Sequence, residues 1–155
     1  MIIEKKTRTY IPQDLTITWE SLEPLFAALQ SREINSADEL EQWLKDRSEL
    51  EAALEEDFAW RYIKMSCDTA NEELVKNFQS FAEEIEPKIS PLFNALNKKF
   101  VESPFMDDLD KEKFFVYSRA IKKALEIYRE ENIELFTQLQ VKQQKIPEHY
   151  RCNER

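Results

Sequence analysis

The chain has 155 residues, a formal charge of −9 and no glycine. Average usage would supply about 11 glycines. Their absence excludes P-loops, dinucleotide-binding turns, nucleophile elbows and EF-hand loops, all of which need positive φ or a close backbone approach. Tight hairpin turns lean on glycine too, and the acidic field repels phosphate backbones, so a strand meander and nucleic-acid binding are both disfavoured. What remains is an all-α fold, an array of long antiparallel helices, four or five in number, with no sheet. The hydrophobic fraction of 42%, with ten Phe, five Tyr and three Trp, is enough to build one core. Met1-Ile-Ile-Glu-Lys-Lys lacks the apolar run of a signal peptide, and no stretch is long enough to span a membrane. Cys67 and Cys152 are too few for a disulfide framework, so two free thiols in a reducing cytoplasm are expected.

Residues 1–17 are mixed and β-branched, and Pro12 forces extension, which predicts an ordered but irregular arm. A first helix is predicted from Trp19 to Ser31, with Thr18 as N-cap and Leu22, Leu25, Phe26 and Leu29 on one face. Pro24 is tolerable there if the helix starts late. Ser36-Ala-Asp-Glu39 reads as a capping box opening a second helix to about Ser66. Leu40, Trp43, Leu44, Arg47, Leu50, Leu54, Phe58, Arg61 and Met65 recur along it at steps of three and four. A third helix is expected from the cap Thr69, with an apolar stripe from Leu74 to Phe100. Pro87 and Pro91 should bend or break it. A fourth begins near Asp110 and carries Phe114, Tyr117, Ile121, Leu125 and Tyr128. The pattern resumes through Ile133, Phe136, Leu139 and Gln140, with Glu130-Glu131 marking either a joint or an exposed turn.

Catalytic chemistry finds little support in these residues. His149 is the only histidine, with no partners nearby for a three-ligand zinc site, and Cys–His or Ser–His–Asp catalysis is not expected because neither cysteine has a context that suggests an activated thiolate. Glu55-Glu56-Asp57, Glu83-Glu84 and Asp107-Asp108-Leu109-Asp110 read as solvated helix faces. The segment Phe58-Ala-Trp60-Arg61-Tyr62 is different. Three large aromatics in five residues cannot share one face, so the segment is surrounded by core or presents Trp60, Arg61 and Tyr62 to a cleft or interface.

Several segments, in order, resemble one family. They are Arg32-Glu-Ile-Asn-Ser-Ala-Asp-Glu-Leu, Trp43-Leu-Lys-Asp-Arg-Ser-Glu-Leu and Asp57-Phe-Ala-Trp-Arg-Tyr-Ile. Glu86-Pro-Lys-Ile-Ser-Pro, Ser103-Pro-Phe and Lys122-Lys-Ala-Leu-Glu-Ile-Tyr-Arg-Glu-Glu-Asn-Ile follow. Over residues 10–144 the chain is similar to the N-terminal helical region of oligoendopeptidase F, a zinc metallopeptidase family related to thimet oligopeptidase. The resemblance implies helices that wall the channel of a cytoplasmic enzyme cleaving short peptides. Its zinc-binding H-E-x-x-H has no counterpart here, so no catalytic or metal-binding residue carries over, and zinc belongs to the intact family member. The implied domain covers residues 18–145. After Gln143-Gln144-Lys145 the family pattern gives way to an atypical segment, 146–155, which reads as a disordered tail from a shifted reading frame on a truncated product. The expected role is a non-catalytic N-terminal domain that partners a catalytic domain and self-associates without it. The alternative is a stand-alone acidic helical interaction module.

Overall fold

A computed structural model describes the backbone of residues 8–152 and the side chains of residues 8–143. The first seven residues of the arm, the last three of the tail, and the side chains of His149 and Cys152 lie outside the described residues. The regular structure of the described backbone is all helical, without strands. It comprises α1 (Trp19–Ser31), α2 (Ala37–Cys67), α3 (Glu72–Ser80), a π-helical segment (Phe81–Ile85), α4 (Glu86–Val101), α5 (Lys111–Ile127) and α6 (Asn132–Cys152). Because α3, the π segment and α4 run on without interruption, these form five rods.

Two features explain how glycine-free helices begin and end. Short polar side chains start them. The Thr18 hydroxyl accepts from Ser21 N–H and the Ser21 hydroxyl from Thr18 N–H, closing a box at α1. At α2 the Ser36 hydroxyl accepts from Glu39 N–H, but the Glu39 carboxylate reaches back to Asn35 N–H, one residue beyond the reciprocal partner expected. Two helices end in extended backbone, at Arg32 after α1 (φ −60°, ψ 124°) and Tyr128 after α5 (φ −63°, ψ 129°), and no described residue has positive φ. The carbonyls left open at the end of α1 are collected by a distant side chain. Lys99 Nζ donates to the carbonyls of Leu29 (3.0 Å), Gln30 (2.7 Å) and Arg32, where a cation also suits the negative end of the helix dipole.

Proline and cap placement differ from the sequence-based expectation in three places. Pro24 lies inside α1 at its sixth residue, so the helix does not start late enough to spare it. The cap of α3 is Asn71, not Thr69. The Asn71 Oδ1 accepts from Glu73 and Leu74 N–H, whereas Asp68 to Asn71 form a turn closed by Asn71 N–H on the Asp68 carbonyl. Nor does Pro87 break its helix. Pro87 offers no N–H to the Glu83 carbonyl, and the ladder shifts just upstream, where Glu86 N–H bonds the Phe81 carbonyl five residues back. That π bulge absorbs the ring and lets α3 continue into α4.

Packing is antiparallel along the long rods. As α2 positions fall from Tyr62 through Phe58 to Arg47, their partners rise from Phe78 through Phe81 to Asn97. Among the described residues the core draws on every rod except α6. Leu22, Phe26, Leu29, Leu40, Trp43, Leu50, Leu96 and Phe100 are fully enclosed, and Phe26 meets Phe93 edge-on with ring centroids 5.0 Å apart. Trp43 Nε1 donates to the Leu29 carbonyl (2.9 Å), and Arg32 pairs with Asp46 (2.5 Å), so α1 and α2 are pinned at one end. Helix α4 packs against α1, α5 and α6. A joint from Tyr128 to Glu131 separates α5 from α6; Arg129 Nη1 closes the end of α5 on the carbonyls of Glu126 and Tyr128. The tail expected from Ile146 is helical in backbone as far as Cys152. Extending an existing helix costs far less than nucleating one, and Gln144, Lys145, Glu148 and Arg151 are good helix formers.

In the described part of the arm, residues 8–17, one carboxylate gathers three consecutive backbone N–H groups. Glu49 accepts from the N–H groups of Thr9 (2.8 Å), Tyr10 (2.8 Å) and Ile11 (2.9 Å) and from the Thr9 hydroxyl. Ile11 and Ile17 are buried beneath it. Desolvation pushes the Glu49 carboxyl upward, but the donors of Ile11, Thr9 and Tyr10 together outweigh it and leave its pKa below the usual carboxylate value. With the folded pKa depressed, this contribution is complete above the unfolded value of about 4.3 and is lost as pH falls through the folded one. Protection factors of the Thr9–Ile11 amides, relative to their intrinsic exchange, should therefore be high at pH 6 and fall steeply on acidification below pH 4. Glu49→Gln should show little protection at either pH; equal protection in that variant would contradict the anchoring role.

Candidate functional site

The aromatic segment of α2 resolves into two faces. Phe58, Arg61, Tyr62 and Met65 lie at i, i+3, i+4 and i+7, and they face α3 and the π segment. Phe58 sits 5.1 Å from the Phe78 ring and 5.3 Å from Phe81, and Tyr62 lies 5.8 Å from Phe78. Arg61 is spent within the fold. Its Nε pairs with Asp57 (2.5 Å), its Nη groups reach the carbonyls of Asn77 and Ile17, and the guanidinium covers the Phe81 ring at 5.4 Å. Trp60 and Ile63 point away. Trp60 is 54% exposed and Tyr62 53%, so Trp60 is available to a partner, Tyr62 in part, and Arg61 holds the ground beneath them.

A second place was not singled out by the sequence. Helices α4, α5 and α6 enclose a cleft of about 610 Å³ with walls from Pro87, Ala124, Ile127, Ile133, Phe136 and Leu139. Among the polar residues that line it are Glu86, Tyr128 and Gln140. Gln140 Nε2 donates to Glu86 Oε1 (3.1 Å), yet Glu86 Oε2, Gln140 Oε1 and Tyr128 Oη are buried without a hydrogen-bond partner. Burial raises the Tyr128 pKa, the Glu130 carboxylate raises it further, and the neighbouring Ser90 hydroxyl opposes both. One signal was legible beforehand. Gln140 interrupts an apolar stripe, four residues after Phe136, and a polar side chain at such a position needs a reason.

A third depression, about 900 Å³, runs between the arm, α2 and α5. Its charges satisfy one another: Glu41 binds both Lys45 and Lys113, and Arg8 binds Glu56. Beneath it, Arg47 is only 2% exposed. It bonds Asn97 Oδ1 (2.6 Å) between the rings of Phe93 and Tyr117, with Nε and Nη1 unpartnered.

Among the described residues, no three His, Cys, Asp or Glu side chains gather where they could hold a metal, and no helix is long and apolar enough to cross a membrane. Large apolar side chains stand exposed on α2, α5 and α6, including Trp60, Phe115, Val116, Leu135 and Phe136. These features define an all-helical domain with exposed apolar side chains and open clefts. The family model for the Peptidase M3 N-terminal domain matches residues 15–128, from the arm to the end of α5. The chain belongs to that family. No curated protein and no solved structure matches it.

Proposed function

We propose that the chain is the non-catalytic helical part of a cytoplasmic zinc oligoendopeptidase of the oligoendopeptidase F type, and that it walls the channel through which short peptides reach the metal. The family match over residues 15–128 carries this reading. The exposed aromatic end of α2 supports it. Trp60, with Tyr62 and Ile63 beside it, supplies the amphipathic anchors that protein interfaces favour, and Arg61 fixes their helix to α3. In this reading zinc and the catalytic groups reside in the partnering domain, and the helices contribute enclosure and water exclusion. The exposed Cys67 thiol and the net charge of −9 suit a reducing compartment without nucleic-acid partners. Uncovered, the same apolar surfaces would drive self-association.

Calorimetric titration of the chain with the zinc-bearing domain of an M3 peptidase tests this docking. A complex should form, and Trp60→Ala should raise its Kd roughly 30-fold or more, the loss typical of a buried Trp anchor. Tyr62→Phe should change little. Absence of any complex, with self-association as the only assembly seen, would favour a stand-alone interaction module instead.

A further inference from the structure

We propose that the cleft between α4, α5 and α6 binds a protonated primary amine carried on an apolar body. The cleft holds buried acceptors that no donor of the protein reaches. Glu86 Oε2 and Gln140 Oε1 are buried there with no protein partner, and Tyr128 Oη has only the neighbouring Ser90 hydroxyl, without good hydrogen-bond geometry; a buried unpaired acceptor costs about 1–3 kcal/mol. Glu86 Oε2 can only accept when ionised. Gln140 Oε1 can only accept, and one N–H of its amide already donates to Glu86 Oε1. Tyr128 Oη accepts as readily as it donates. An ammonium group brings three N–H donors and no acceptor.

Charge and shape point to the same ligand. Glu86 lies in the cleft, and the Glu130 carboxylate acts on Tyr128 from the joint. The one cationic side chain at the mouth, Arg129, has its Nη1 turned onto the carbonyls of Glu126 and Tyr128. A guanidinium suits the site less well. Its planar fork wants both oxygens of one carboxylate, and Gln140 occupies one of the two at Glu86. The apolar body has walls waiting: Ile127 and Phe136 line the cleft and remain 66% and 63% exposed, so a ligand there would cover them. The free N-terminus of a hydrophobic peptide and a small arylalkylamine share this chemistry.

The test is a titration of the whole chain with phenethylamine, followed by amide chemical shifts and by calorimetry. Saturable binding that moves resonances of Glu86, Tyr128 and Gln140 is expected. Phenethyl alcohol, which keeps the body and replaces the ammonium, should bind at least tenfold more weakly, and so should phenethylamine on Glu86→Gln. The alcohol comparison needs no variant and stands even if that substitution disturbs the fold. Leu-Phe amide and its N-acetyl form separate the sources. Tighter binding of the free peptide, lost on acetylation, assigns a peptide N-terminus; tighter phenethylamine assigns a small amine. No saturable binding of either amine, equal binding of the alcohol, or shifts confined to residues outside the cleft would overturn the proposal. The titration needs no peptidase partner, so its failure leaves the docking experiment untouched.

Discussion

Trp43→Ala should destabilise the fold by about 3–5 kcal/mol, the range for removing a large buried aromatic. The indole is fully enclosed where α1, α2 and α4 meet. It also donates to the Leu29 carbonyl, and Lys99 Nζ stands 5.9 Å above its ring while bonding that same carbonyl. At this chain length each kcal/mol lowers Tm by about 2–4 °C, so calorimetry should register a fall of roughly 6–20 °C. Trp43→Phe separates packing from hydrogen bonding. It keeps a ring in the cavity, and Lys99 still satisfies the Leu29 carbonyl, so most of the stability should survive. A Trp43→Ala protein melting within about 2 °C of the parent would mean the indole is not the keystone of that corner.

Arg47→Met should act in the opposite direction, raising stability by about 1–3 kcal/mol. A buried charge costs several kcal/mol of desolvation, and replacing buried ionic groups with apolar ones of similar volume is often stabilising. The structure says why that cost is poorly recovered here. Arg47 has no carboxylate against it, only the Asn97 amide and two rings, and two of its nitrogens are unpartnered. Burial raises the pKa of the adjacent Tyr117, whose Oη is also unpartnered; Arg47 lowers it and the Glu51 carboxylate raises it. Methionine fills the channel between Phe93 and Tyr117 without donors to satisfy. Chemical denaturation is the measurement, since both proteins should keep the same m-value. A loss of more than about 1 kcal/mol on Arg47→Met would show that the rings and Asn97 do compensate the guanidinium.

Periodicity carried the helices because it reports burial directly. Thr18 and Ser36 were readable as caps for the same local reason: each bonds an N–H three residues ahead. Where several short polar residues compete, local rules lose force. Thr69 and Asn71 are both credible caps, and the turn from Asp68 decides for Asn71. The response to Pro87 was also beyond local reading. Bend, break and π bulge all relieve the same clash, and the choice rests on packing of the whole rod. Lys99 capping α1, Glu49 gathering the arm and Gln140 meeting Glu86 join residues 54 to 70 or about 40 positions apart. No short window holds both partners, so the cleft emerged only with the fold. The missing glycines proved informative about backbone: a chain with no positive φ among its described residues has no position that requires one.

The central claim is that these helices serve a zinc peptidase that cannot work unenclosed, and peptide hydrolysis after mixing measures it most directly. Equimolar chain and separately produced zinc-bearing domain should cleave a short fluorogenic peptide at least tenfold faster than the zinc domain alone. Chelation of zinc should abolish that rate, and the helical chain alone should show none. An unchanged rate on mixing, or cleavage by the helical chain alone that survives chelation, would contradict the account.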